Sequence, residues 1–124
     1  MAKPELQDGE LIVKHWTLNF RPNADHRFTG KFYVTNQRAI FDAEHDNSSM
    51  LAALANSYTF QSHGTLSIDF GNIKEIGSEK SLLKKTVIIH IDGGDQLRFD
   101  YGMLSVDKIV ETLKSQLNAA VVSN

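Results

Sequence analysis

From Leu11 to Tyr101 the apolar residues recur mostly at every second position, and after Ser105 they recur at every third or fourth. A repeat of two sets alternate side chains on opposite faces of an extended strand. A repeat near 3.6 stacks them along one face of a helix. The chain is therefore expected to build a sheet first and a helix last. "ELIVKHWTLNF" supplies the first strand, near Leu11 to Phe20. "RFTGKFYVT" sets Phe28, Phe32 and Val34 on one face and Arg27, Lys31 and Tyr33 on the other. "TLSIDF" aligns Leu66, Ile68 and Phe70, and "GNIKEI" follows with Ile73 and Ile76 as anchors. "KKTVIIHID" points Val87, Ile89 and Ile91 inward, and "QLRFDY" does the same with Leu97, Phe99 and Tyr101.

The turns fall where the alternation breaks. "GKFYVTNQRAIF" is apolar on both sides of Thr35-Asn36-Gln37-Arg38, a polar interruption that reads as a hairpin corner. "DGGD", Asp92 to Asp95, reads as a primed hairpin turn. Ser105 is placed to cap a helix, with Leu104 and Ile109 spaced as a hydrophobic staple. Val106, Ile109, Val110, Leu113, Leu117 and Val121 then form one apolar stripe over roughly 15 residues. A sheet of this size must hide its edges. The expected architecture is α+β, mainly β: about seven antiparallel strands bent into a partly open barrel, with the amphipathic helix over one opening.

One segment departs from this rhythm. Residues 44–65 are long for a hairpin connection and read as an insertion. Ser48 or Ser49 is placed to cap a short helix over "MLAALAN", and Tyr58 to Phe60 reads as a brief extended piece. With 124 residues the whole chain is expected to be a single domain, 1–124, able to bury one core without staples. Thirteen basic against fifteen acidic residues leave a net charge of −2, so no overall basic field draws in nucleic acid. The absence of cysteine excludes disulfides and thiolate chemistry. "MAKPELQDGE" lacks the apolar stretch of a secretory signal, and no run approaches the ~20 apolar residues of a membrane span. The expected setting is cytoplasmic, or peripheral at a membrane surface. "NSS" at Asn47 reads as a chance match to a glycosylation acceptor.

Four stretches together carry a resemblance: "DGE" before an aliphatic strand at Asp8 to Val13, "GKFYVTNQRAIF", "LSIDFGNIKEI", and "GDQLRFDYG" before the last helix. The chain resembles the GRAM and bacterial PH-like domains of the pleckstrin-homology superfold. The aromatic-x-Thr-Asn-x-Arg-x-x-Phe signature is the most specific of the four, and Ala39 stands where that motif usually has a larger aliphatic residue. The resemblance covers nearly the whole chain outside residues 44–65. It implies a seven-stranded bent sheet capped by a C-terminal helix, and a binding module rather than a catalyst. It also implies partners among anionic lipids, phosphoinositides included, or proteins.

The candidate sites follow from charge and apolar placement. Lys14, Arg21, Arg27 and Lys31, with His26 nearby, offer several charge-assisted donors to an anionic headgroup near the first hairpin. Asp25 inside that hairpin opposes it, and solvated charges on an outward face are the commoner reading. Met50, Leu51, Leu54, Tyr58 and Phe60 are more apolar side chain than a loop requires. They form either a cluster folded back on the sheet or a patch for another chain. Arg38 reads as a structural corner residue bonded to carbonyls or to a carboxylate such as Asp42 or Glu44. His45 and His63, with Glu44 and Asp46, lack the short spacing of a metal site. "EKSLLKK", Glu79 to Lys85, reads as a solvated hairpin tip, with a small basic patch for phosphates as the alternative. No nucleophile elbow or phosphate-cradling glycine loop is present, so neither catalysis nor a cofactor is expected. The first expectation is protein–protein contact or self-association through the insertion or an exposed strand edge. The alternative is anionic lipid binding through Lys14, Arg21, Arg27 and Lys31.

Overall fold

The structure is a computed structural model, and it describes residues 6–23, 26–43, 60–61 and 65–122. Among the described residues eight strands run in chain order: β1 (Ile12–Asn23), β2 (His26–Thr35), β3 (Arg38–Ala43), β4 (Phe60–Gln61), β5 (Thr65–Asp69), β6 (Ile73–Lys80), β7 (Lys85–Ile91) and β8 (Gln96–Asp100). A 3-10 turn, Phe70–Asn72, joins β5 to β6, and a helix, α1 (Asp107–Val122), follows β8. Every paired neighbour is antiparallel, and the strands lie in the order β4-β5-β3-β2-β1-β8-β7-β6. Seven are full strands; β4 has only two residues.

The expected alternation sets the core. Phe28, Phe32 and Val34 of β2, Leu66 and Ile68 of β5, and Val87, Ile89 and Ile91 of β7 all enter one apolar cluster. Leu18 and Phe20 of β1, Ile76 of β6, and Leu97 and Phe99 of β8 join them. Strands at opposite ends of the sheet order share this core, so the sheet must curl around it. Phe99 is at the centre, its ring centroid 5.2 Å from Phe20, 5.0 Å from Phe32 and 5.4 Å from Phe41.

The helix closes the core from one side, packing against β6 and β2. Val106, Ile109 and Leu113 are fully buried, and Val110 and Leu117 pack beside them. Burying a side chain of this size is worth about 1.5–3 kcal/mol. The three together outweigh the weak intrinsic tendency of a 16-residue segment to stay helical alone. The Ser105 hydroxyl accepts the Asp107 amide at 3.2 Å, as a capping residue should. The staple is not made: Ile109 is buried, but Leu104 stands in solvent.

Two local readings shift. β1 begins at Ile12 and is longer than expected, with a bulge at Val13 that leaves Lys14 opposite Val34. The β7–β8 loop closes one residue early, because the Gly94 amide donates to Ile91 O at 3.3 Å. Asp92 and Gly93 are then the central pair of the turn. Gly93 and Gly94 sit at φ of 95° and 90°, where a side chain would be strained.

Candidate interaction surfaces

The β2–β3 corner is a packed polar network. The Thr35 hydroxyl accepts the amides of Gln37 and Arg38 at 3.0 and 2.9 Å, folding the chain back on itself. Arg38 is buried. Its Nε donates to Glu10 Oε2 at 2.9 Å, its Nη2 to Glu10 Oε1 at 3.1 Å and its Nη1 to Ser67 Oγ at 3.0 Å. Thr35 Oγ1 donates to the same carboxylate at 2.7 Å. A carboxylate that meets Arg38 is thus Glu10, from the "DGE" stretch, whereas Glu44 lies outside the described residues. Burial alone would push the Glu10 carboxyl up. Its bonds from Arg38, Thr35 and the Gln7 amide outweigh that and hold it below the ordinary range. Around this pair, Asn36 Nδ2 donates to Gly9 O and Gln37 Nε2 to Asp8 O, each at 3.0 Å. The Leu11 amide donates to Asn36 Oδ1 at 2.9 Å. The corner and the segment before β1 are one unit, and Arg38 is fully engaged within it.

The cations near the first hairpin are not gathered into one site. Arg21 is paired with Asp100, which also accepts Asn19 Nδ2 at 3.0 Å and the Gly102 amide at 3.2 Å. Burial would raise the Asp100 carboxyl, yet Arg21, Asn19 and Gly102 together lower it. Lys31 Nζ donates to Thr17 Oγ1 at 2.9 Å across β1 and β2. Arg27 is exposed and has the same strand parity as Lys31, whereas Lys14 is in register with Val34 of the core. The structure therefore brings Lys31 and Arg27 to one face, commits Arg21 to an acid, and leaves Lys14 on the other parity. Beside Lys31, burial raises the Asp42 carboxyl. Tyr33 shares the outward face as expected but is buried there, its ring 5.7 Å from that of His15; burial first, and then the Asp42 charge, raise its hydroxyl pKa.

Of the insertion patch, Met50, Leu51, Leu54 and Tyr58 lie outside the described residues, as do His45 and His63. Phe60 falls in β4, in register with Leu66. No group of three metal-ligating side chains occurs among the described residues. No helix among them is long and apolar enough to cross a membrane.

Two other surfaces present themselves. The first is the edge of β6, the terminal strand of the sheet, whose ladder partner among the described residues is β7 alone. Lys74, Glu75, Ser78, Glu79 and Lys80 are exposed along it.

The second is the β6–β7 tip. Ser81 and Lys84 close it: the Ser81 amide and hydroxyl donate to Lys84 O at 2.8 and 2.9 Å, and the Lys84 amide donates to Ser81 Oγ at 3.1 Å. Between them Leu82 and Leu83 are 88% and 70% exposed. The adjacent β8–α1 loop exposes Met103 and Leu104 by 69% and 60%. Lys85 N to Gly102 O at 2.7 Å and Lys80 Nζ to Asp107 Oδ1 at 2.7 Å bind the two loops together. The lysines of this tip were legible in the sequence. The exposed leucines were signalled only by two large aliphatics standing where a hairpin loop prefers polar or turn-forming residues.

No family model and no curated protein matches the chain. Solved structures do. The C-terminal domain of an unknown protein from Leishmania infantum is 16% identical over 89% of this chain and 86% of its own, with a TM-score of 0.67. The N-terminal PH domain of Vps36 is 11% identical over 97% of this chain and 88% of its own, with a TM-score of 0.71. The DH/PH domains of PDZ-RhoGEF, crystallised in complex with GTP-gamma-S activated RhoA, give 13% identity and a TM-score of 0.56. That match covers 88% of this chain and 30% of the other. The curled antiparallel sheet closed by a C-terminal helix is a pleckstrin-homology-like fold.

Proposed function

We propose that this chain is a non-enzymatic binding module that takes up an extended segment of a partner protein along the open edge of β6. The observation that carries the proposal is the position of β6: eight residues at the end of the sheet order, laddered to β7 on one side. Strand addition draws its affinity from main-chain hydrogen bonds and its selectivity from alternate side chains, so it leaves no catalytic or ligand motif in a sequence. Symmetric antiparallel pairing of two copies about Gly77 would set Lys74 against Lys80 and Glu75 against Glu79. Like charges directly opposite are unfavourable, which favours a foreign segment over a second copy in that register. The similarity to PH domains, one of them crystallised with a protein partner, supports a binding role. The corner motif supports a GRAM-type member of that superfold.

Peptides selected from a random library for binding to the purified chain test this reading. The expected result is a saturable ligand whose amide shifts in NMR fall on residues 74–80. Selected peptides that bind while leaving those amides unmoved would overturn it.

A further inference from the structure

The hydrogen bonds at the two ends of the β6–β7 hairpin fix which backbone groups of β6 face its open edge. The Ser81 amide donates to Lys84 O at 2.8 Å, and the Asp92 amide donates to Asn72 O at 2.9 Å. The Lys85 amide and carbonyl turn the other way, to Gly102 O and the Tyr101 amide. Bonded and non-bonded pairs alternate along an antiparallel ladder. Between these ends the register runs without a shift from Glu75 opposite His90 to Lys80 opposite Lys85. The N–H and C=O groups of Ile76, Ser78 and Lys80 therefore point away from β7. An antiparallel strand bonded to them places its own residues opposite Glu75, Gly77 and Glu79 as the non-bonded pairs, where side chains come closest.

Those three positions share one face. Ile76 enters the core cluster, so Glu75, Gly77 and Glu79 alternate to the opposite side of the sheet. Their register partners there are His90, Ile88 and Thr86, and Arg98 of β8 follows in register with Ile88. The place a Gly77 side chain would fill is open, with nothing within 4 Å. Glu75 is exposed and pairs with no cation among the described residues. Glu79 is paired with Arg98, yet its side chain is 62% exposed. Lys74, in the bulge, and Lys80, on the other face and paired with Asp107, fall outside the span from Glu75 to Glu79. Resting on strand addition at β6, we infer that this edge selects an extended segment of the pattern basic–any–aromatic–any–basic. The aromatic ring lies over Gly77 against Ile88, pairing an aromatic with a β-branched side chain and covering an edge glycine. The two cations meet Glu75 and Glu79. A second copy of this chain does not fit the pattern, since it brings Glu against Glu.

Synthetic peptides centred on Lys-Thr-Phe-Val-Lys, Glu-Thr-Phe-Val-Glu and Lys-Thr-Ala-Val-Lys, titrated into the isotope-labelled full chain and followed by amide NMR, test the inference. The first should bind with its largest shifts at Ile76, Ser78 and Lys80. Reversing its charges should weaken binding by roughly tenfold, and removing the ring by roughly threefold to fivefold. Added salt should narrow the first difference and leave the second. Glu75→Lys should weaken the first peptide more than Glu79→Lys does, because Arg98 already faces Glu79. Both changes are at exposed positions, so the variants should melt like the wild type by circular dichroism. Equal binding of all three peptides at residues 74–80 would overturn the inference and leave strand addition standing, as would a preference for the acidic peptide. If none of the three moves the amides of 74–80, the inference falls, and the library-selected peptides then decide strand addition on their own.

Discussion

Arg38 is held almost wholly out of water, with Glu10 and Ser67 among its side-chain partners. A buried pair of this kind adds little over a well-packed apolar replacement, but removing one partner strands the other charge. Arg38→Met is therefore expected to cost about 3–5 kcal/mol in urea unfolding. The double change Glu10→Leu with Arg38→Met should cost clearly less than the sum of the two single changes, because neither charge is left behind. The acid limb of stability has a definite sign. Glu10 and Asp100 are both lowered in the folded chain, so the unfolded chain binds protons first as the pH falls. Their contribution is whole above the ordinary carboxylate range of about 3.9–4.3 and is lost as the pH drops from there through their depressed folded values. Asp42, raised by burial, acts in the opposite sense and gains from protonation in the folded chain. Urea midpoints measured across this range should fall with acid in the wild type, and Asp100→Asn should flatten part of the slope. At this scale the sequence was least informative. The parity of Arg27, Lys31 and Tyr33 could be read from alternation, but the partner of Arg38 lies 28 positions away, and nothing local selects Glu10 over Asp42.

Elements were easier to read, because their causes are local. The Thr35–Arg38 corner, the DGGD turn and the Ser105 cap each depend on a few adjacent residues whose backbone preferences are strong. Two element ends differed from the reading. Leu104 leaves the helix staple for solvent, and the turn after β7 closes on Ile91 rather than Asp92. Ser105→Ala should destabilise the chain by about 1 kcal/mol, read from thermal or urea unfolding, since it removes the acceptor for the Asp107 amide. Lys80→Ala removes an exposed ion pair and should change stability by less than about 1 kcal/mol.

At the scale of the whole molecule, the switch from alternating to helical spacing carried the architecture. One greasy face per strand and one stripe on the helix admit few arrangements other than a curled sheet with a lid. Phe99 tests that arrangement best, because it touches rings from β1, β2 and β3 while itself lying on β8. Phe99→Ala should cost about 3–5 kcal/mol, measured by denaturant unfolding. The contacts it loses join parts of the chain distant in sequence. The sequence could not show which surface is used, because an open strand edge and an apolar tip arise from what the fold leaves uncovered.

The stitching of residues 8–10 to the β2–β3 corner has a mechanical corollary. β1 lies in the interior of the sheet, with β2 on one side and β8 on the other. Tension applied at the leading end of the chain would meet the Glu10–Arg38 clasp, at the start of β3, before it reached β1. Beyond the clasp it would load the ladders on both flanks of β1 in shear. A pull on the last helix would meet side-chain packing and the Lys80–Asp107 contact. Force from the leading end therefore meets a clasp and two ladders, and force from the helix meets packing first.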